Sequence, residues 1–403
     1  MDIKLITLSN YTRPALKEDK STGYVMNGKD NSFYQYIIDR NNGSATNSSI
    51  NNSYACLMYG RGLGFTNKVN DVVVQNWAEL KGILRPSDIK KIIQDAQIFG
   101  EFSFQIVKNR DGSLNSITHL PKQMVVPSIE NDEGAIESYH YSRNWKKKRE
   151  DKYNPQEFPA YSGVENKSTE IYVGKEYKPG NEYFGTPDYI AGLQYAEMEE
   201  EISNMNVSSI KNGLSAGYII NIPNGESYTD EEKSEFERQV KKKLTASSNA
   251  SNFIISFNGQ DVEISITPFP VNDNVHKQWD FLTKECKSQL MTAHRVISPS
   301  LVGLSSTSGF SSVADEMDMS EKQTIKRVIA PKQKFVLEAI EDVLFTYGIN
   351  LDLIFLPLTQ EEEVLDTVVE EESVDVQEEE KLSLISSNEP GEASKDINNK
   401  LNK

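Results

Sequence analysis

The feature that most limits what this chain can fold into is a pair of long helical stretches with a small module between them. The first runs from Pro187 to Asn212 and the second from Asp273 to Val296. A chain that climbs one helix, builds a module and returns down another makes a stalk with a cap. In the first stretch Pro187 suits the opening turn and Thr186 can cap it. Ile190, Leu193, Met198, Ile202 and Met205 keep to one stripe, and Gly213 after Asn212 is stop chemistry. In the second stretch Asp273 is the N-cap. Val275, Trp279, Leu282, Cys286, Leu290, Ala293 and Val296 then step by three or four residues along one apolar face. At a rise of about 1.5 Å per residue each helix is about 35 Å long. A narrow stripe buries little within one subunit. The two stripes are therefore expected to pack on each other and on neighbouring copies.

The module between them reads as strand, helix, strand, strand. Ala216–Ile222 is a strand closed by Pro223, and Asn224-Gly225 is turn chemistry. Thr229 to Leu244 is a helix. Thr229 and Glu232 form a capping box, Phe236, Val240 and Leu244 share a face, and Lys241, Lys242 and Lys243 sit where cations suit the dipole. Phe253–Phe257 and Val262–Pro268 are expected to form a hairpin around Asn258-Gly259.

Before the stalk, residues 1–30 are polar and mixed and read as an arm or a loosely held edge. Ser32–Arg40 is a short amphipathic helix with Phe33, Tyr36 and Ile37 on one face. A run of Asn, Ser, Gly and Thr follows at Asn41–Asn52, and a helix then begins at Ser53. The glycines from Gly60 to Gly64 lack the spacing of a dinucleotide fingerprint and precede no Gly-Lys-Ser/Thr, so they read as a helix stop before a strand. Ser87–Gly100 is a helix with Ile89, Ile92, Ile93 and Ala96 on its face. Strands are expected at Glu101–Lys108, Leu114–Leu120, Met124–Pro127 and Ala135–Tyr141, forming one small antiparallel sheet, with a further strand at Thr169–Val173. Trp145-Lys-Lys-Lys-Arg149 is a basic run, read as a solvated loop or as a contact for an acidic partner or nucleic acid.

After the stalk, Ser305–Ser312 has no periodicity and reads as a mobile loop. A long helix spans Val313–Tyr347, with a kink expected at Pro331, a stop at Gly348 and a strand at Leu351–Leu358.

Composition narrows the function classes. The 403 residues suffice for two or three domains, and 37% hydrophobic with 26% charged residues fits a chain with real cores. No apolar run approaches a membrane span, so no membrane is implied, and Met1–Ser9 has no secretory pattern. Cys56 and Cys286 form no disulfide framework, and Cys286 falls on the apolar stripe as a small core residue. The net charge is −17, and from Thr359 onward 14 acidic residues face 4 basic ones. Such a chain is poorly suited to gripping nucleic acid, which does not exclude one that lets it slide past. The four histidines are scattered, and there is no HExxH, no Gly-x-Ser-x-Gly, no Walker loop and no kinase signature. His294 is expected to hydrogen-bond a carbonyl rather than to catalyse. No catalytic, metal or cofactor constellation emerges.

Three stretches carry a family resemblance. Glu182-Tyr-Phe-Gly-Thr-Pro-Asp-Tyr-Ile190 leads into the first helix, and Ile210-Lys-Asn-Gly-Leu-Ser-Ala-Gly-Tyr-Ile-Ile220 leads into the module. Ala293-His-Arg-Val-Ile-Ser-Pro-Ser-Leu-Val-Gly-Leu304 leaves the second helix. In this order and spacing the chain resembles the portal proteins of tailed bacteriophages over residues 30–358. The resemblance implies an α+β, portal-like fold with long stem helices, an inserted αβ clip, a mixed αβ wing and a long kinked helix. The implied parts are an arm at 1–30, a wing at 31–186 and stem helix 1 at 187–212. A clip at 213–272, stem helix 2 at 273–302 and a tunnel loop at 303–312 follow. The kinked helix and a wing strand occupy 313–358, and an acidic crown or tail 359–403.

The function implied is a non-enzymatic ring, a homo-oligomer of dodecameric type, at one vertex of the virion. It is assembled in the host cytoplasm and passes double-stranded DNA during packaging and ejection. The partners implied are the major capsid protein, the terminase large subunit and a head–tail adaptor protein, with no cofactor. The alternatives are another oligomeric virion component without a channel, or an enzyme with an unrecognised site. Glu197, Glu199, Glu200 and Glu201 lie off the apolar stripe and are candidates to line the channel. So is the small, uncharged loop Ser305, Ser306, Thr307, Ser308, Gly309 and Phe310. Gly225, Tyr228, Lys241, Lys242, Lys243, Asn258 and Gly259 are candidates for partner docking on the clip.

Overall fold

The computed structural model describes residues 16, 18–164, 168–211, 218–222, 228–245, 253–257, 265–268, 275–304 and 313–358. The chain divides into a unit Met1–Leu356 and a second unit Pro357–Lys403. The expected loop at 305–312, the turns at Gly225 and Asn258-Gly259, and the acidic tail from Thr359 lie outside the described residues.

Strands β1 (Glu18–Asp19) and β2 (Tyr24–Val25) pair antiparallel. Tyr24 and Val25 are buried, so the end of the expected arm is part of a core. Their side chains are large and apolar, and the polar average of residues 1–30 conceals them. Helices α1 (Ser32–Gly43) and α2 (Ala45–Tyr59) follow. Here the sequence reading needs correction. The polar run Asn41–Asn52 is mostly helix, broken only at Ser44, whose hydroxyl accepts from the Asn47 N–H at 3.1 Å and caps α2. Low intrinsic propensity of Asn, Ser and Thr is overridden because their side chains are buried and hydrogen-bonded. Gly60 stops α2 before β3 (Leu63–Phe65), as expected.

Helix α3 (Asp71–Ile83), which sequence reading passed over, is capped by the Asn70 side chain accepting from the Val73 N–H at 2.9 Å. Helix α4 (Pro86–Phe99) buries Ile89, Ile92, Ile93 and Ala96 and ends on Gly100 at φ +71°. Strand β4 (Glu101–Lys108) lies between β5 (Leu114–His119) and β9 (Glu170–Lys175) in an antiparallel sheet. A second antiparallel sheet has the order β6 (Val125–Pro127), β7 (Ser138–Tyr141), β8 (Gln156–Pro159). The single sheet expected is thus two, and β8 is an addition. β4 has β5 on one edge and β9 on the other, so it offers no free edge to β6.

The first stalk helix begins later than expected. A 3-10 turn at Ile190–Gly192 precedes α5 (Leu193–Lys211). Thr186 does not cap it, because its carbonyl accepts from Lys178 Nζ at 2.7 Å and its hydroxyl from Asn181 at 3.0 Å. The cap module has β10 (Tyr218–Ile222), α6 (Asp230–Thr245), β11 (Phe253–Phe257) and β12 (Ser265–Pro268). The capping box is present: Thr229 N–H donates to Glu232 Oε2 at 2.9 Å and Glu232 N–H to Thr229 Oγ1 at 3.3 Å. The expected hairpin is not. β10 lies between β11, parallel to it, and β12, antiparallel to it. The apolar strand Tyr218-Ile-Ile-Asn-Ile222 takes the doubly paired central place, and α6 supplies the crossover that a parallel pair needs.

Helix α7 (Val275–Ala293) returns beside α5. Helix α8 (Val313–Thr324), a π-helical turn at Ile325–Ile329 and α9 (Ala330–Thr346) form the expected interrupted helix. The interruption is a π turn placed just ahead of Pro331. The wider i→i+5 spacing, with Ala330 N–H on the Ile325 carbonyl, accommodates a ring that has no N–H to give. Gly348 at φ +78° ends α9, and β13 (Leu353–Phe355) pairs with β3. The main core gathers Ile50, Tyr54, Ile92, Phe104 and Ile340 from α2, α4, β4 and α9. A second core joins α1, through Phe33, Tyr34 and Ile37, to Tyr189 and Leu193 at the root of α5.

Candidate functional site at the root of the stalk

The two stalk helices change character along their length. Near the body Leu193, Ala196 and Ile202 on α5 and Cys286 and Leu290 on α7 are buried. Gly192 lets the helices meet there, since a side chain on it would reach Ala293 Cβ at 2.8 Å. Farther out, Met205 on the α5 stripe is 52% and Leu282 on the α7 stripe 37% exposed, and Ile210 and Phe281, off those stripes, are exposed as well. The apolar stripes are therefore real, but each is covered only at its root.

The root is held by carboxylates. Glu199 sits at the N-terminus of α2 and accepts from Thr46 N–H at 3.2 Å, Thr46 Oγ1 at 2.7 Å and the Ser44 hydroxyl. A helix N-terminus offers unpaired N–H groups and a positive dipole end, so a carboxylate is favoured there. Arg40 on α1 pairs with Glu197 at 3.4 Å and with Glu200 at 3.2 Å, and Tyr36 OH donates to Glu197 at 3.2 Å. Of the candidate channel residues, Glu197, Glu199 and Glu200 are thus half-buried and tied to α1 and α2, whereas Glu201 is exposed. Of the candidate docking residues, Tyr228 is exposed just ahead of α6, and Lys241, Lys242 and Lys243 fall in its last turns. Gly225, Asn258 and Gly259, with the loop from Ser305 to Phe310, lie outside the described residues.

A second polar assembly, not anticipated from sequence, adjoins the first. Asp188 faces Arg295 at 2.5 Å, Lys178 at 3.0 Å and Lys332 at 3.6 Å. Burial alone would raise this carboxyl, but Lys332, Lys178 and Arg295 hold it below the usual range. Arg295 stands at φ +58°, a conformation more often given to glycine, and it closes α7 while Val296 N–H bonds back to the Met291 carbonyl. Lys332 also donates to Gln97 at 2.7 Å, Gln97 to Asn51 at 2.9 Å, and Asn51 to Asn41 at 2.9 Å. His294 Nε2 meets Asn47 Oδ1 at 2.7 Å, and its ring stacks on Tyr189 at 4.2 Å. The histidine indeed bonds a carbonyl oxygen, that of a side-chain amide. Burial, with the Lys332 charge in support, pushes its pKa down to about 3, so it is neutral and the nitrogen facing Asn47 is the donor.

Each group in this network would cost about 1–3 kcal/mol if buried without its partner. The signal available in the sequence was the Asn-rich run itself, too polar for a core helix and too regularly spaced at 47 and 51 for a loop. A pocket beside Gln97, Asp188 and Lys332 holds about 20 Å³ of space for solvent, enough for about one water and not for a cofactor. Among the described residues no group of three or more His, Cys, Asp or Glu is placed to hold a metal ion. None of their helices is long and apolar enough to cross a membrane.

No protein-family model and no curated protein matches the chain. Solved structures do. A chain in the neck of an empty gene transfer agent particle superposes with a TM-score of 0.54 at 12% identity, over 84% of this chain and 88% of that one. A chain in the virion of the native particle gives 0.53 at 12% identity, over 88% and 89%. An HK97 family phage portal protein from Corynebacterium diphtheriae is similar at a TM-score of 0.42 and 9% identity, over 80% and 90%. The gene transfer agent chains carry the fold assignment. It is a mixed helix-and-sheet fold shared over 84–88% of this chain.

The buried histidine makes a signed prediction. Its folded pKa lies below the ordinary 6.5, so only the unfolded chain takes up this proton between those values. The contribution to stability is complete above pH 6.5 and is lost as pH falls toward about 3. From pH 7 to pH 5 the wild type should lose about 2 kcal/mol more than His294→Gln in urea unfolding. Equal losses in the two proteins would show that His294 is not held neutral.

Proposed function

We propose that this chain is the protomer of a portal-type ring, a channel through which double-stranded DNA enters and leaves a virion. The observation that carries the reading is the stalk. Two helices are clamped at the root and left apolar and uncovered beyond it, on a fold shared with gene transfer agent neck and virion chains. Met205, Ile210 and Phe281 are left exposed by their own helix pair. Closed ring symmetry covers every such stripe once and leaves none over. The ring is of dodecameric type and seated in the major capsid protein shell. The inserted module docks the terminase large subunit and later a head–tail adaptor protein. No reaction of its own is required, and the chain works as a passage.

Within that ring the lumen is lined at the stalk by Glu201, the one carboxylate of its cluster that is exposed, and by the loop from Ser305 to Phe310. Glu197, Glu199 and Glu200 act instead at the root, holding the stalk to α1 and α2. Like charge toward DNA keeps phosphates from sticking, over a screening distance of about 8 Å.

Negative-stain images of the purified protein should show rings with a central hole. Folded monomers, or particles without a hole, would overturn the reading. An in vitro packaging assay reads the two working surfaces together. Glu201→Lys should slow packaging at low salt and recover as salt rises, and removal of residues 225–268 should abolish it at every salt. Unchanged rates in both variants would contradict the assignment.

A further inference from the structure

The turn between β7 and β8 is a positive island on an acidic chain. From Arg143 to Lys152 there are six cations and two carboxylates, in a chain of net charge −17. The island is not a loose run. The Trp145 ring is buried, meets Tyr24 edge-on at 5.3 Å and donates its indole N–H to the Met124 carbonyl at 3.2 Å. Asn144 Oδ1 accepts from the Lys146 N–H at 3.1 Å, and the Ser142 hydroxyl donates to the Tyr153 carbonyl at 2.7 Å. Both ends of the turn are thereby pinned. Lys148 lies 5.5 Å over the Tyr24 ring, and Lys147 stands 3.7 Å from Glu150. Arg143, Lys146 and Arg149 are exposed and pair with no carboxylate among the described residues. Lys29, also exposed, stands on the turn packed against this one.

A chain with 60 acidic and 43 basic residues has carboxylates to spare for its own cations. Holding three of them outward on a braced turn, with no carboxylate partner among the described residues, leaves them available to an acid brought from elsewhere. Because the turn is rigid, little ordering entropy is lost when that acid arrives.

We propose that this turn is a docking surface for the acidic face of a partner protein. Three features favour a protein over nucleic acid. The net charge of the chain repels a long polyanion, whereas a local acidic patch feels only the island within about 8 Å. Glu150 and Asp151 interrupt the cations, which suits a surface of mixed sign better than a row of phosphates. No aromatic ring is offered for base stacking, since Trp145 is buried and Tyr153 half-buried. The proposal does not rest on the channel reading.

The test uses the full chain, with a labelled polyglutamate peptide short enough to cover only the island and a mixed-sequence DNA duplex as probes in fluorescence anisotropy. Polyglutamate should bind, and bind more weakly as salt rises from about 50 to about 200 mM. The triple variant Arg143→Ser, Lys146→Ser, Arg149→Ser should weaken it by about tenfold, with the near-ultraviolet signal of the buried Trp145 retained. Should that variant misfold, Lys146→Glu alone gives the same reading. The proposal fails if polyglutamate does not bind, if the variants bind it as the wild type does, or if the duplex binds more tightly than the peptide.

Discussion

The Glu199 carboxylate, lodged at the N-terminus of α2, is the contact on which the rest of the architecture depends. A helix that leaves its domain can be held by its own apolar face only as far as the domain reaches. Beyond that point its direction must be set at the root. Here a carboxylate from α5 takes three donors from Ser44 and Thr46, while Arg40 takes Glu197 and Glu200, two residues before it and one after. α7 is fixed in the same region by different chemistry, with His294 on Asn47 and Arg295 on Asp188. Both stalk helices are therefore fastened to α2 by side-chain hydrogen bonds that are specific in direction. An apolar contact of the same area would fix distance without fixing angle.

This division explains why α2 is polar yet buried. Asn41, Asn47, Asn51 and Gln97 are almost wholly out of solvent, an unusual population for a helix interior. Each finds its partners within the set that ends at Lys332, so the network is closed rather than frustrated. The same logic accounts for the neutral His294: an imidazolium beside Lys332 would add a second positive charge where one is already costly to bury. Stability in this region depends on pairing between buried polar groups, so it is sensitive to protonation in a way that the Ile-rich and Phe-rich core is not.

Much of the element order was legible from periodicity and turn chemistry. The α4 face, the capping box at Thr229 and Glu232, and the buried Cys286 follow from local rules that the tertiary structure had no reason to override. The misreadings arise where long-range partners win. Asn258-Gly259 is a strong hairpin signal, yet β11 and β12 are separated because β10 lies between them and pairs with both. Thr186 has the right side chain to cap a helix, but its hydroxyl is taken by Asn181. The run from Asn41 to Asn52 reads as a loop by composition and becomes helix only because its acceptors and donors are satisfied from α4, α5 and α7. Glu197, Glu199, Glu200 and Glu201 look equivalent in sequence. Only the positions of Arg40, Ser44 and Thr46 distinguish three anchors from one exposed charge.

The root of the stalk is self-sufficient, and in the proposed ring its outer half is completed by neighbouring copies. The most direct measurement is the mass in solution of a chain carrying Met205→Glu and Ile210→Glu, set beside its thermal unfolding. Charges on the uncovered outer half should yield folded monomers whose melting reports an unchanged body, because neither side chain touches the root. A variant that still assembles like the wild type would contradict the claim, for the outer half would then have no neighbour to meet.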